Sequence, residues 1–421
     1  MDGNERSIVA FASSAHALVH TYELSIPIFV VVWLQAFGAS TAELGLAVTG
    51  GYALFGIGAL PGGILADRFG SRRLVAAGVA GMGASFLALS FANGLVAVAL
   101  ALAGWGVAAS VYHPAALSLL STGVESRGTA FAYHGMAGNA GIALGPLVSA
   151  LLLLAFDWPT VVRLLVLPAV AVAGYAAIVE FDEMAAVDAS ARGSDAGGPG
   201  RAVSLSSVLA DSRALLTAGF VLALAVVMAN GLFYRGTLTF LPEMLGEFLP
   251  PIDPVGVFGA ESALAAEFDT ASYLYAGLLM VGIAGQYTGG KLSDRVPPTL
   301  GLVGTFAALV VIAVAFVPAA RVGLVPLLAA SVLLGFFLFA LQPLYQATIA
   351  VYTPPDGRGL SYGYTYLVSF GVGAAGATIA GYLLSALGTG GTFLALSVFP
   401  VLGAGFALTL YRWDPASATN G

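Results

Sequence analysis

Runs of about 20 apolar residues recur along nearly all of this 421-residue chain, separated by short polar breaks. Each is long enough to cross the ~30 Å hydrocarbon core of a bilayer. No water-soluble fold can bury so many of them: only 9% of the residues are charged, against about 25% in an ordinary soluble domain. The chain is therefore predicted to be an all-α, polytopic membrane protein with the lipid bilayer as its solvent.

The runs centre on 8–36, 43–65, 73–93, 95–120, 129–153 and 160–180, and then on 215–240, 271–293, 299–317, 323–350, 361–384 and 391–411. This predicts twelve transmembrane helices: an N-terminal six-helix bundle over 1–180, a linker over 181–213 and a C-terminal six-helix bundle over 214–421. Within the linker, the Gly/Ser/Asp-rich stretch 188–200 holds too little apolar material to pack. Basic residues are retained in cytoplasmic loops. Arg6, Arg68, Arg72, Arg73, Arg127, Arg192, Arg201, Arg213, Lys291, Arg295, Arg358 and Arg412 fall on one side of this scheme, and only Arg163, Arg235 and Arg321 fall elsewhere. Both termini and the linker are thus expected in the cytoplasm, with the protein in the plasma membrane. The stretch 241–270 holds Glu243, Glu247, Asp253, Glu261, Glu267 and Asp269 and no basic residue, as an external loop should. The first apolar run is interrupted by His16, His20 and Glu23 and does not read as a cleaved signal peptide.

A net charge of -7 argues against a nucleic-acid partner. With no cysteine, disulfides, thiolate nucleophiles and cysteine metal sites are excluded. Lys291 is the only lysine among 15 basic residues. Such an acidic, lysine-poor surface is one that stays hydrated in concentrated salt, and high-GC codon usage would explain the arginine equally well.

The two halves repeat. Gly62-Gly63-Ile-Leu-Ala-Asp67-Arg68 ends the second run and Gly289-Gly290-Lys-Leu-Ser-Asp294-Arg295 ends the eighth, at an offset of 227. Arg127, Tyr133 and Gly145 match Arg358, Tyr364 and Gly376 at an offset of 231, and Pro114 matches Pro343 at 229. The motif Gly63-Ile-Leu-Ala-Asp67-Arg68-Phe-Gly70-Ser-Arg72-Arg73, with its echo from Gly290 through Asp294 to Arg295, resembles the signature of the major facilitator superfamily, and the resemblance covers the whole chain. It implies two pseudo-symmetric bundles that rock about a central solute site. It also implies that these motif residues form a cytoplasmic gate that latches the outward-facing state. Independently of the family, small residues let membrane helices approach closely, and an acid at a helix end suits arginines and helix N-termini. Gly138-Asn139-Ala-Gly141 and Gly145-Pro146 in the fifth run, with Tyr112-His113-Pro114 in the fourth, resemble the drug-efflux and fosmidomycin-resistance branches. The antiporter pattern is only partly kept, because Ala132, Ser149 and Ala150 stand where it has glycine.

Ionisable residues at membrane depth are default functional candidates. His16, His20 and Glu23, at spacings of four and three, share one face of the first helix. Glu23 is a candidate carrier of a transported proton, and the two histidines titrate near neutrality. A permanent structural pair with a histidine or arginine, or a zinc site using the two histidines, are the other readings. Without a third ligand nearby in sequence, no metal is expected, and no cofactor. Arg235, beside Asn230 and Tyr234, either binds an anion, balances Glu23 or reaches back to the outer interface. The resemblance implies that helices one, four, seven and ten line the cavity, so that Glu23, His113, Arg235 and Gln342 would converge, and His134, Asn139, Tyr345 and Gln346 are further candidate cavity residues. Gly285 to Lys291 imitates the start of a phosphate-binding loop, but Leu292 stands where a magnesium-binding hydroxyl is needed, so an ATP-driven pump is disfavoured.

Together these features predict a secondary active transporter of a small organic solute, coupled to H+ and working by alternating access as a monomer. Efflux by antiport is favoured over uptake of an organic anion by symport. A non-transporting receptor or membrane-embedded enzyme is the remaining class. Nothing in the chain resembles a catalytic nucleophile or acid pair, so an enzyme is not expected.

Overall fold

The computed structural model describes residues 1–186, 205–249, 270–293, 295–353 and 358–413. Most of the predicted linker, the acidic stretch 250–269 and Asp294 lie outside the described residues. Every regular element described is a helix.

Ten segments are long and apolar enough to cross a membrane: Gly3–Phe37, Thr41–Gly63, Ser71–Leu89, Leu95–Gly123, Thr129–Leu153, Trp158–Ile178, Ala218–Gly246, Pro298–Val322, Leu324–Val351 and Gly363–Trp413. The last breaks at Gly388, whose φ of 66° glycine adopts without a Cβ clash, and so supplies two helices. Thr270–Ser293 completes the twelve, numbered one to twelve here in chain order. A short helix, Leu205–Leu215, precedes helix seven. The chain divides into two compact units, one of residues 1–26 with 50–209 and one of 27–49 with 210–421.

Both units use the same packing device. Lipid tails are as apolar as leucine, so membrane helices associate through close van der Waals contact, which small residues permit. In the first unit, a Cβ on Gly62 of helix two would lie 3.0 Å from Pro114 Cγ of helix four, and one on Gly63 would lie 3.9 Å from Pro114 Cβ. In the second unit, Gly289 and Gly290 of helix eight stand in the same relation to Pro343 of helix ten, at 2.9 Å and 4.0 Å. The sequence repeat is therefore a repeat of contacts.

The other packed pair repeats as well. Helix five lies on helix one so closely that a Cβ on Gly141 would be 2.1 Å from the Ala17 carbonyl, and one on Gly145 would be 2.6 Å from Thr21 Cα. Helix eleven lies on helix seven with Gly376 placed 2.2 Å, by the same measure, from the Leu232 carbonyl. Residues 27–49 belong to the second unit and bond to helix eleven there. Thr41 Oγ1 donates to the Gly381 carbonyl at 2.9 Å, and Thr49 Oγ1 to the Ala374 carbonyl at 2.9 Å.

Candidate functional site

Helix one presents His16, His20 and Glu23 on the face that their spacing predicts, and packing brings two more histidines to it. The His134 ring of helix five stacks on His16 at 3.8 Å between centroids, and the His113 ring of helix four stands edge-on to it at 5.3 Å. All four histidines of the chain therefore meet in the first unit. Glu23 is 1% exposed, and His16, His113 and His134 are buried. Gly138 makes the room, because a Cβ there would lie 2.4 Å from His16 Cε1. Gly141 and Gly145, one and two turns on, hold the two backbones at that distance.

Hydrogen-bond directions in this cluster constrain its protons. His16 Nδ1 lies 2.7 Å from the His134 carbonyl, which only accepts, so that nitrogen carries a hydrogen. His20 Nε2 faces His16 Nε2 at 3.1 Å, and His20 Nδ1 faces Glu23 Oε2 at 2.6 Å. These three contacts need three protons. Two neutral imidazoles and a carboxylate supply only two, so the row Glu23–His20–His16 closes only when it holds one proton more. Wherever that proton sits along the row, the count is the same. Tyr112 Oη donates to the Ala12 carbonyl at 2.6 Å and so accepts from His134 Nε2 at 3.0 Å, which fixes the His134 tautomer.

The second unit holds the other polar candidates except Asn139, which lies on helix five of the first unit. Arg235 is 2% exposed, with its guanidinium carbon 5.4 Å from the Tyr234 ring centroid and 5.2 Å from that of Phe370. Phe370 sits on a π-helical stretch, Leu367–Val372, a geometry frequent at functional sites. Gln342 accepts a hydrogen bond from Gln286 of helix eight, Asn230 and Tyr345 are buried, Asn139 is half-buried and Gln346 is exposed.

At the loop between helices two and three, Gly70 has a φ of 84°, the left-handed backbone that explains glycine in the motif. The first two N–H groups of helix three, from Ser71 and Arg72, donate to Glu183 at 2.8 and 3.3 Å. Arg72 also donates from its side chain to the Ala176 carbonyl, at 2.8 and 3.1 Å. Arg68 lies over the Phe69 ring, and Arg73 is exposed. The side chain of Asp67 lies outside the described residues, as do all of Asp294 and the side chains of Arg127, Arg358 and Tyr362. Sequence reasoning did not single out Glu183, nor Tyr112, Gln286 and Phe370 as site groups. The signal for Glu183 was an acid five residues past the end of helix six. Glu183→Ala is expected to lower stability by about 1–2 kcal/mol, as loss of a helix N-terminal acceptor does, read as a lower melting temperature in detergent.

The sequence profile of the Major Facilitator Superfamily matches residues 10–375 and 245–420. The chain belongs to that superfamily. A relative matched along most of its length is the uncharacterized MFS-type transporter YfnC of Bacillus subtilis (strain 168), 24% identical over 325 residues, 75% of this chain and 71% of that protein. The puromycin resistance protein pur8 of Streptomyces alboniger is 36% identical over 124 residues, 29% of this chain and 25% of that protein. The chain thus spans about a quarter of the length of the first curated relatives it matches. Among solved structures, a bacterial homolog of the human lysosomal transporter Spinster, inward-facing and occupied, aligns with a TM-score of 0.71 over 99% of this chain and 100% of that one, at 14% identity. The nucleoside transporter NupG aligns with a TM-score of 0.71 over 98% and 100% at 13% identity. These two likenesses show the fold. Membership of the Major Facilitator Superfamily agrees with the ten described segments long and apolar enough to cross a membrane.

Proposed function

We propose that this superfamily member is a proton-driven exporter of a small organic solute, exchanging H+ for solute across the plasma membrane by alternating access. Both termini face the cytoplasm, and the monomer is the working unit. The observation that carries the reading is the three-proton row Glu23–His20–His16, 1% exposed at its carboxylate end and made of a carboxyl group and two imidazoles, side chains able to bind and release protons. Losing one proton removes a hydrogen from one of the three contacts and sets bare acceptors against each other. Proton release is thereby tied to rearrangement of these side chains on helix one, whose His16 end is bonded to helix five. Export as the direction is supported by the likeness to the puromycin resistance protein over 124 residues. The cytoplasmic gate residues of the motif, Gly63, Asp67, Arg68, Gly70, Arg72 and Arg73 with Gly290, Asp294 and Arg295, would latch the access cycle.

A second reading, uptake of an organic anion together with H+, draws on Arg235. A guanidinium that is 2% exposed in an apolar bundle is a natural partner for a carboxylate or phosphonate.

A solute panel in proteoliposomes separates the two. With the lumen acid, export by antiport predicts that lipophilic amines, puromycin among them, accumulate inside beyond the level of protein-free vesicles. Symport predicts instead that organic anions accumulate when the outside is acid, and that Arg235→Ala abolishes this. If no compound exceeds the protein-free control in either direction, proton-driven transport is wrong.

A further inference from the structure

Beyond transport, the geometry points to a binding site for a zinc-like divalent transition-metal ion in the first unit, held by Nε2 of His16, Nε2 of His20 and a ring nitrogen of His113. The ligand atoms of these three residues all lie within 4.8 Å of one another. The two from helix one are already 3.1 Å apart. Ligands about 2.05 Å from a tetrahedral ion stand roughly 3.3 Å apart, so the His16–His20 pair has the required separation and only His113 must move inward.

The surroundings prepare both Nε2 atoms. His16 Nδ1 is tied to the His134 carbonyl at 2.7 Å, and His20 Nδ1 is tied to Glu23 at 2.6 Å. A metal-bound histidine almost always has its second nitrogen fixed by a carbonyl or a carboxylate in this way, and the partner orients the ring and raises its basicity. The His16 ring is clamped by stacking on His134 at 3.8 Å and on Tyr112 at 5.6 Å. An ion would lie where the helix-one pair now shares hydrogen, with the fourth tetrahedral position left to water or solute. Three imidazoles without cysteine suit zinc, nickel or divalent copper, not magnesium or calcium, which take oxygen ligands. The third ligand, which the sequence does not place near the first two, comes from helix four.

The test is direct binding by the purified full-length chain in detergent, stripped with chelator. Zn2+ is titrated by calorimetry, and Co2+ by the visible absorption that tetrahedral coordination gives. A single saturable equivalent is expected, lost in His20→Gln and in His113→Gln and weakened about 10–100-fold in Glu23→Gln, the usual effect of removing an outer partner. It is retained in His134→Gln, because the main-chain carbonyl that fixes His16 Nδ1 stays in place when the stacking ring is lost. Each variant is compared with the wild type by size-exclusion elution. No saturable binding of either ion by the wild type would overturn the site, and so would binding that survives both His20→Gln and His113→Gln. The outcome does not depend on proton coupling, which transport assays read separately: zinc binding can stand where proton flux fails, and the reverse.

Discussion

Glu23→Gln should abolish accumulation driven by a proton gradient while leaving solute exchange in place. A carrier that trades one proton for one solute accumulates solute about tenfold per pH unit, because one unit is worth about 1.4 kcal/mol. The glutamine amide still fits beside His20 and can donate to its Nδ1, so the fold and the solute site are kept. It cannot release a proton, so the Glu23–His20–His16 row loses the step that ties its protonation to the arrangement of its side chains. Under a one-unit gradient the variant should reach about the same concentration on both sides, against about tenfold for the wild type. Counterflow of labelled against unlabelled solute, which needs no net proton movement, should persist. Wild-type accumulation in the variant would remove Glu23 from the coupling.

Gly141→Leu and Gly285→Leu should each prevent assembly of the helix pair they serve. Their Cβ positions lie 2.1 Å from the Ala17 carbonyl and 2.0 Å from the Phe336 carbonyl, closer than any Cβ contact allows. The obstructing atoms are backbone, so the helices themselves must part. Overpacking of a tight interface costs about 1–3 kcal/mol, and more where backbone has to move, out of a total stability of about 5–15 kcal/mol. The expected result is loss of the monodisperse peak in size-exclusion chromatography. Gly63→Ala and Gly290→Ala are the controls: their Cβ positions, 3.9 and 4.0 Å from the repeat prolines, are at ordinary contact distance. These two should keep the peak, and if they lose it the packing account fails.

Helix positions were legible because lipid demands long apolar runs. The predicted first run, 8–36, lies within Gly3–Phe37, and the predicted eighth, 271–293, nearly coincides with Thr270–Ser293. The shared face of His16, His20 and Glu23 was legible for a local reason, since helical spacing alone sets it. Only the family resemblance brought His113 toward Glu23, and His134 could not be assigned to that face from sequence. A helix that is apolar all round carries no periodic signal for which side meets which neighbour, so nothing linear says that helices four and five both turn a histidine toward helix one. Gly138 was the available clue. It was read as part of a family-like motif, whereas its physical role is to leave space for the His16 ring. The glycine repeat fared better: Gly62, Gly63 and Pro114 were matched to Gly289, Gly290 and Pro343 by offset, and the matched residues make the same contacts in each unit.

The most direct test of the central claim is the reverse of accumulation. Proteoliposomes enclosing a pH-sensitive dye start with equal pH on both sides, and a solute found by the panel is added outside. Proton-coupled exchange predicts that the lumen turns alkaline as solute enters and protons leave, faster in the wild type than in Glu23→Gln and protein-free vesicles. If labelled solute enters through the wild type while the dye follows the Glu23→Gln trace, the chain transports without coupling to protons, and the account is contradicted.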